Sequence, residues 1–221
     1  MYLCHMKNIF LILFSFFILS TASAQNTAAN RKLSGDMVIS GIFNYDLATQ
    51  ILDETNIRRE EAGVPPVKMT KLLCDVAMLR AAEAKPTLPH AYDNPHNRPN
   101  GQKFNTILDK KERCYRQSEN ILYGNFDPKQ IVDGWMSSEG HRHNLLDSLV
   151  TTVGIGAFKW FDEDGELVPM VTATQFFSDC PSDEDYRPSG IEKVQVKITS
   201  KPDTKSTVIK REEYKVAPDT K

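Results

Sequence analysis

Four histidines fall in two groups, His90 with His96 and His141 with His143, and Ser118-Glu119-Asn120 lies between them ahead of an apolar Ile121-Leu122. Imidazole is the natural divalent-metal ligand and proton carrier near neutral pH. One carboxylate beside two imidazoles could complete a metal site with an open position. It could equally orient a histidine for acid–base work. Neither an HExxH nor a CxxC pair is present, so spacing alone equally allows His96 and His141 to serve only as hydrogen-bonding residues between two loops. Glu119, flanked by serine and asparagine before an apolar pair, reads as sheltered and therefore needs a cationic or donor partner.

The densest stretch is Trp135-Met136-Ser137-Ser138-Glu139-Gly140-His141-Arg142-His143-Asn144-Leu145-Leu146. It reads as the end of an amphipathic helix, with His141, Arg142 and His143 on the polar turn that follows. Trp135 belongs to the core. Arg142 and Asn144 either satisfy backbone carbonyls around that turn or line a ligand cleft. Arg98 can pair with an acid or an anionic ligand, and His90 and His143 read as solvated. Val153-Gly154-Ile155-Gly156-Ala157 then reads as a buried strand with room for close backbone approach.

Elements must bring these remote segments together. Helical periodicity starts near Ile42, placing Ile42, Tyr45, Ala48 and Leu52 on one face and Asn56, Arg58, Arg59, Glu60 and Glu61 on polar positions. Gly63 followed by Pro65-Pro66 stops that helix. A second helix spans about Thr70 to Ala84 and buries Leu72, Leu73, Val76 and Leu79. Residues 86–103, rich in proline, asparagine and histidine, form a long loop of the kind that tends to carry function. A third helix starts with Asp127 as N-cap, Pro128 in the first position and Gln130 closing a capping box, and it buries Ile131, Val132, Trp135 and Met136. Val153–Phe161 and Val168–Phe177 then form an antiparallel hairpin around an Asp164-Gly165 turn.

The ends read differently. Lys7, the apolar run Ile9–Leu19 and Ala22-Ser23-Ala24 form an export signal over residues 1–24, with a retained anchor as the alternative. The run is short for a membrane span, so no transmembrane segment is expected after cleavage. Losing Lys7 takes the formal charge from −2 to −3, which gives no electrostatic footprint for nucleic acid. Residues 25–41 read as a flexible leading segment, 42–180 as the folded domain, and 181–221 as a charged C-terminal extension. Val194, Val196 and Ile198 allow one strand there before a solvated tail. Cys74, Cys114 and Cys180 remain after cleavage. Export permits a bridge between two of them, but the sequence does not choose the pair, and small unbridged buried thiols are the alternative.

These motifs resemble the CAP superfamily, also called the SCP or cysteine-rich secretory, antigen 5 and pathogenesis-related-1 family, in its bacterial form. Asn56-x-x-Arg59-x-x-x-Gly63 resembles the first-helix signature, and His96-Asn97-Arg98-Pro99-Asn100-Gly101 resembles the bacterial histidine loop. Ser118-Glu119-Asn120 is similar to a Gly-Glu-Asn motif. Trp135 to Leu146 with Val153-Gly154-Ile155-Gly156 is the most specific match. The resemblance implies an α+β fold, a three-layer α-β-α sandwich with a central antiparallel sheet. It also implies a cleft in which His96, Glu119 and His141 match two histidines and one acid. Arg98, Arg142 and Asn144 would join that cleft, and a divalent cation such as zinc could be held by His96, His141 and Glu119. The second acid does not transfer, because Ser138 stands there with Glu139 beside it, which weakens a metal site.

The expected function is therefore a secreted or cell-envelope binding module taking a small ligand, a lipid or an extracellular protein surface. The alternatives are a metal- or acid–base-assisted peptidase-like hydrolase, with His96, Glu119 and His141 as its catalytic candidates, and a structural envelope domain. No Gly-x-Ser-x-Gly elbow is present, and no cysteine adjoins a matched histidine.

Overall fold

The computed structural model describes residues 33–215; the export signal expected over residues 1–24 lies outside them. In chain order the elements are β1 (Met37–Asn44), α1 (Tyr45–Glu61), β2 (Lys68–Met69), α2 (Lys71–Glu83), α3 (Pro89–Asp93), β3 (Gln117–Gly124), α4 (Pro128–Ser137), α5 (Glu139–Leu145), β4 (Thr152–Trp160), β5 (Val171–Ser178), β6 (Ile191–Ile198) and β7 (Thr207–Glu213). The strands form one sheet in the order β3-β5-β4-β1-β6-β7, with β2 pairing on β4. Every pairing is antiparallel except the short β2–β4 contact. α1, α4 and α5 pack on one face and α2 on the other. This is the expected three-layer α+β sandwich.

Local chemistry explains most boundaries. Asn44 caps α1 by accepting from the Leu47 amide at 2.9 Å, and Thr70 caps α2 through the Leu73 amide at 3.3 Å. Asp127 and Gln130 close the expected capping box with bonds of 2.8 and 3.0 Å, and Ile131, Val132 and Trp135 are buried beneath it. The β4–β5 hairpin forms around Gly165, whose φ of +83° suits a residue without Cβ. Gly154 and Gly156 of β4 face the backbone of α2. A Cβ at either position would overlap the Leu73 or Ala77 carbonyl, so the two small residues set how closely helix and sheet approach.

Several expectations change. Met37–Gly41, assigned to the flexible leading segment, begins β1, which is hydrogen-bonded to both β4 and β6. Ile42 is therefore a buried strand residue, and the first helix begins at Tyr45. In α2, Leu72 is 43 % exposed, because the stripe facing the sheet runs through Leu73, Val76, Ala77 and Arg80. The loop after α2 contains the short α3. His141, Arg142 and His143 lie inside α5 rather than on a turn.

The C-terminal extension forms two strands rather than at most one. Val194, Val196 and Ile198 are buried as their alternation requires. β7 holds its place by main-chain pairing to β6 while its side chains are mostly exposed, so it carries no burial pattern. The ordered sheet extends past residues 42–180 on both sides. Cys114 and Cys180 form a disulfide and Cys74 is free and buried; desolvation pushes the Cys74 thiol up to about 12. Closing a loop of 66 residues is worth about 4 kcal/mol on a chain-entropy basis.

Candidate functional site

β3 is an edge strand, and its consecutive residues Glu119 and Asn120 point to opposite faces. On the α2 face, Glu119 is gripped by Arg80, with Nε to Oε1 at 2.7 Å and Nη2 to Oε2 at 3.1 Å. Oε2 also meets His96 Nδ1 at 3.0 Å. Since that carboxylate already accepts from a bidentate guanidinium, the network assigns the proton between them to Nδ1. The Nε2 of His96 then has no hydrogen-bond partner among the described residues, on a side chain that is 39 % exposed. The sheltered acid expected from the sequence therefore exists, and Arg80 is its cationic partner.

Arg80 does more. Its Nη1 donates to Glu83 Oε2 at 2.8 Å and its Nη2 to the Pro95 carbonyl at 2.7 Å, immediately before His96. Glu83 also accepts from Arg98, at 2.8 Å from Nη2 and 3.1 Å from Nε. Arg80, Glu83, Arg98 and Glu119 are all buried, two cations against two anions. Burial alone would raise the Glu83 pKa, but Arg98, then Arg80, with a Ser206 hydrogen bond, hold it at about 2. Burial disfavours a charged Arg80, yet Glu119 and Glu83 reverse that and raise its pKa.

On the opposite face Asn120 organises a neutral network. Its Nδ2 donates to the His141 carbonyl and to Gln175 Oε1, both at 3.0 Å. Gln175 Nε2 donates to Thr55 Oγ1 at 2.7 Å. Asn144 Nδ2 donates to Asn120 Oδ1 at 3.0 Å and reaches the Glu119 carbonyl at 3.4 Å. This anchors α5 to the edge of β3 and brings His141 beside the strand that carries Glu119, the partner of His96. His141 is half-buried, and its pKa is lowered first by desolvation and then by the charge of nearby His96.

Of the expected cleft residues, His96 and Glu119 are hydrogen-bonded, and His141 lies near enough to His96 for its charge to be felt. Arg98 does not belong with them: it is 1 % exposed and its guanidinium is engaged by Glu83 and Thr106. Arg142 donates to the Met136 carbonyl at 2.8 Å and so holds backbone in place, while Asn144 is engaged by the Asn120 side chain and the Glu119 carbonyl. His90, expected to be solvated, is 3 % exposed, and neither ring nitrogen makes a well-formed hydrogen bond among the described residues, the Glu83 backbone being a polar group close to it. Burial, then the charge of Arg80, lowers its pKa to about 4. Reading residues 86–103 as irregular hid this, because His90 sits on the short α3. Arg80 and Glu83 were missed, although they continue the Leu73–Val76–Ala77 stripe at helical spacing. A charged pair on an apolar stripe is the signal that marks them.

The donor chemistry does not fit a divalent cation. Both Glu119 oxygens accept from Arg80 and one also from His96, so two imidazoles remain as free ligands. Among the described residues no group of three or more His, Cys, Asp or Glu side chains is arranged to hold a metal ion. A dication at Glu119 would also lie against a buried guanidinium.

The cysteine-rich secretory protein family, CAP, matches residues 52–165, and the chain belongs to it. Among known proteins, YkwD of Bacillus subtilis (strain 168) is 27% identical over 137 residues, covering 62% of this chain and 51% of the relative. YlbC of the same organism, described as a membrane protein, is 31% identical over 111 residues, covering 48% of this chain and 30% of the relative. The chain thus spans about half of the first and less of the second. Among solved structures, an extracellular protein containing a SCP domain from Bacillus anthracis str. Ames is 27% identical with a TM-score of 0.49, covering 62% of this chain and 41% of that one.

Proposed function

We propose that this chain is a binding module acting outside the cytoplasm, and that it recognises a small polar ligand at the surface where the His96 and His141 imidazoles lie near each other. The observation that carries the reading is the hydrogen-bonded series Arg80–Glu119–His96, which runs from full burial to a partly exposed imidazole. Such a series fixes the ring and its tautomer and offers Nε2 as an acceptor, or as a donor once protonated. His141 supplies a second imidazole that makes no side-chain hydrogen bond among the described residues. Export agrees with the leader pattern, with the secretory name of the family and with a disulfide that persists in an oxidising compartment. No described helix is long and apolar enough to cross a membrane.

The test is an imidazole ¹⁵N NMR titration with a panel of small carboxylic acids, amides and amines. One compound class should perturb both rings saturably and lose that effect in His96→Ala, while the thermal midpoint hardly moves. If no class perturbs both rings, and His96→Ala costs several degrees, the histidines are structural and the reading fails.

The Glu119–His96 pair also suits general-base work on a bound water, which favours a peptidase-like hydrolase as the second reading. Hydrolysis of a peptide library that vanishes in His96→Ala would select it. An inactive wild-type protein would dismiss it.

A further inference from the structure

The charged cluster beneath His96 is closed from an unexpected direction. Ser206, in the connection between β6 and β7, is 1 % exposed, and its Oγ donates to Glu83 Oε1 at 2.7 Å. The same connection grips the histidine loop at three further points. Asn100 Nδ2 donates to the Thr204 carbonyl at 3.3 Å, Gln102 Nε2 to Asp203 Oδ1 at 2.9 Å, and the Asp203 amide to Gln102 Oε1 at 3.4 Å. Asp203 has a φ of +57°, the sole positive value for a non-glycine among the described residues. Such a conformation is held only where its surroundings over-determine it. The Thr199 and Thr204 hydroxyls bond each other at 2.6 Å and brace the turn.

The β6–β7 partners in these contacts, Asp203, Thr204 and Ser206, lie beyond residues 52–165, so the family match does not cover them. They form an unbroken path. Ser206 and Arg98 orient Glu83; Glu83 orients Arg80; Arg80 holds both Glu119 and the carbonyl preceding His96. We infer that the β6–β7 connection is a working part of the site, with Ser206 a positioning residue that fixes the orientation and tautomer of the His96 ring through Glu83 and Arg80. The inference rests on the His96 site proposed above, but its readout needs no ligand. Without the Ser206 donor the Glu83 carboxylate is free to tilt between its two guanidinia, and Arg80 no longer has one resting place under Pro95 and Glu119. A residue that only packs the turn would leave the His96 ring unchanged.

The experiment reads the His96 imidazole by ¹⁵N–¹H NMR in the full chain. In the wild type a single tautomer with a slowly exchanging Nδ1 proton is expected. Ser206→Ala should bring in the second tautomer and speed that proton's exchange by about tenfold, equivalent to about 1.4 kcal/mol, and Ser206→Thr should restore the wild-type signal. Should Ser206→Ala fail to fold, Asp203→Gly frees the turn from its Gln102 contact while suiting the positive φ, and it should loosen the same signal. An unchanged His96 spectrum in the folded variant overturns the inference, as does a Ser206→Thr variant that behaves like alanine. A normal tautomer response together with failed ligand titrations would leave this positioning role standing and sink only the binding reading.

Discussion

Two buried polar networks sit on opposite faces of the same sheet, and they solve burial differently. On the α2 face, Arg80, Glu83, Arg98 and Glu119 neutralise one another and the chain of bonds ends in a partly exposed histidine. On the α1 face, the buried Arg59 forms no ion pair with a carboxylate among the described residues; it donates to the carbonyls of Pro65 and Leu145 at 2.7 Å, of Asp147 at 3.1 Å and of Val150 at 3.5 Å. Burial lowers its pKa accordingly. Its helix neighbour Asn56 exchanges two bonds with the Val67 backbone, at 2.9 and 3.0 Å. One network locks the end of α1 to the end of α5 and goes no further. The other is open at one end. A cation satisfied by carbonyls is a fastener, whereas a charge relay that reaches solvent can act on something.

The largest effect should come from breaking the fastener. Arg59→Met leaves four carbonyls without that donor and should cost about 4 kcal/mol, read as a fall in the denaturant midpoint with no change in the His96 imidazole spectrum. Close behind, Glu119→Gln strands the Arg80 charge and should cost about 3 kcal/mol while abolishing the fixed His96 tautomer. The two networks are distinguished further by replacing a whole ion pair. Arg80→Met combined with Glu119→Leu should recover much of the loss, because a well-packed apolar pair tolerates burial that a lone charge does not.

A pH scan probes the surroundings of the α2-face network. His90 has its pKa depressed to about 4 by burial and by Arg80, so the neutral ring is the one that the fold favours. Its contribution is intact above about pH 6.5 and is lost as pH falls toward 4. About 2 kcal/mol should disappear by pH 4.5, and His90→Leu should flatten that part of a thermal-midpoint profile. The smallest effect belongs to the open end. His96→Ala, truncating a partly exposed ring, should change stability by about 0.5 kcal/mol. A loss several times larger would erase the contrast between the two networks.

Much of this was legible beforehand. The capping box at Asp127, the buried Trp135, the β4–β5 hairpin and the close approach at Gly154 and Gly156 each arise from neighbours in sequence, where propensity and periodicity speak directly. The need of Glu119 for a partner followed from its setting, since a carboxyl group ahead of an apolar pair cannot be sheltered alone. Its partner was harder to see. Arg80 and Glu83 lie on α2 as an ordinary charged pair at i and i+3, and only the packing of Leu73 and Ala77 on β4 shows that this stripe faces inward. The start of β1 was lost in the polar composition before it, because its partner β6, Ile191–Ile198, lies far along the chain.

The chain's own order of residues determined the helices with their caps, the hairpin, the family motifs and the chemical types at the site, since these depend on steric and hydrogen-bonding preferences within a few residues. Tertiary structure alone decided that Cys114 pairs with Cys180, that Arg98 faces Glu83 and not the cleft, that His90 is buried, and that a serine near the C-terminus completes the cluster under His96. Each of those outcomes depends on which distant segments share one low-dielectric space. There the energy of an ionised or polar group is set by its neighbours and not by its own residue type.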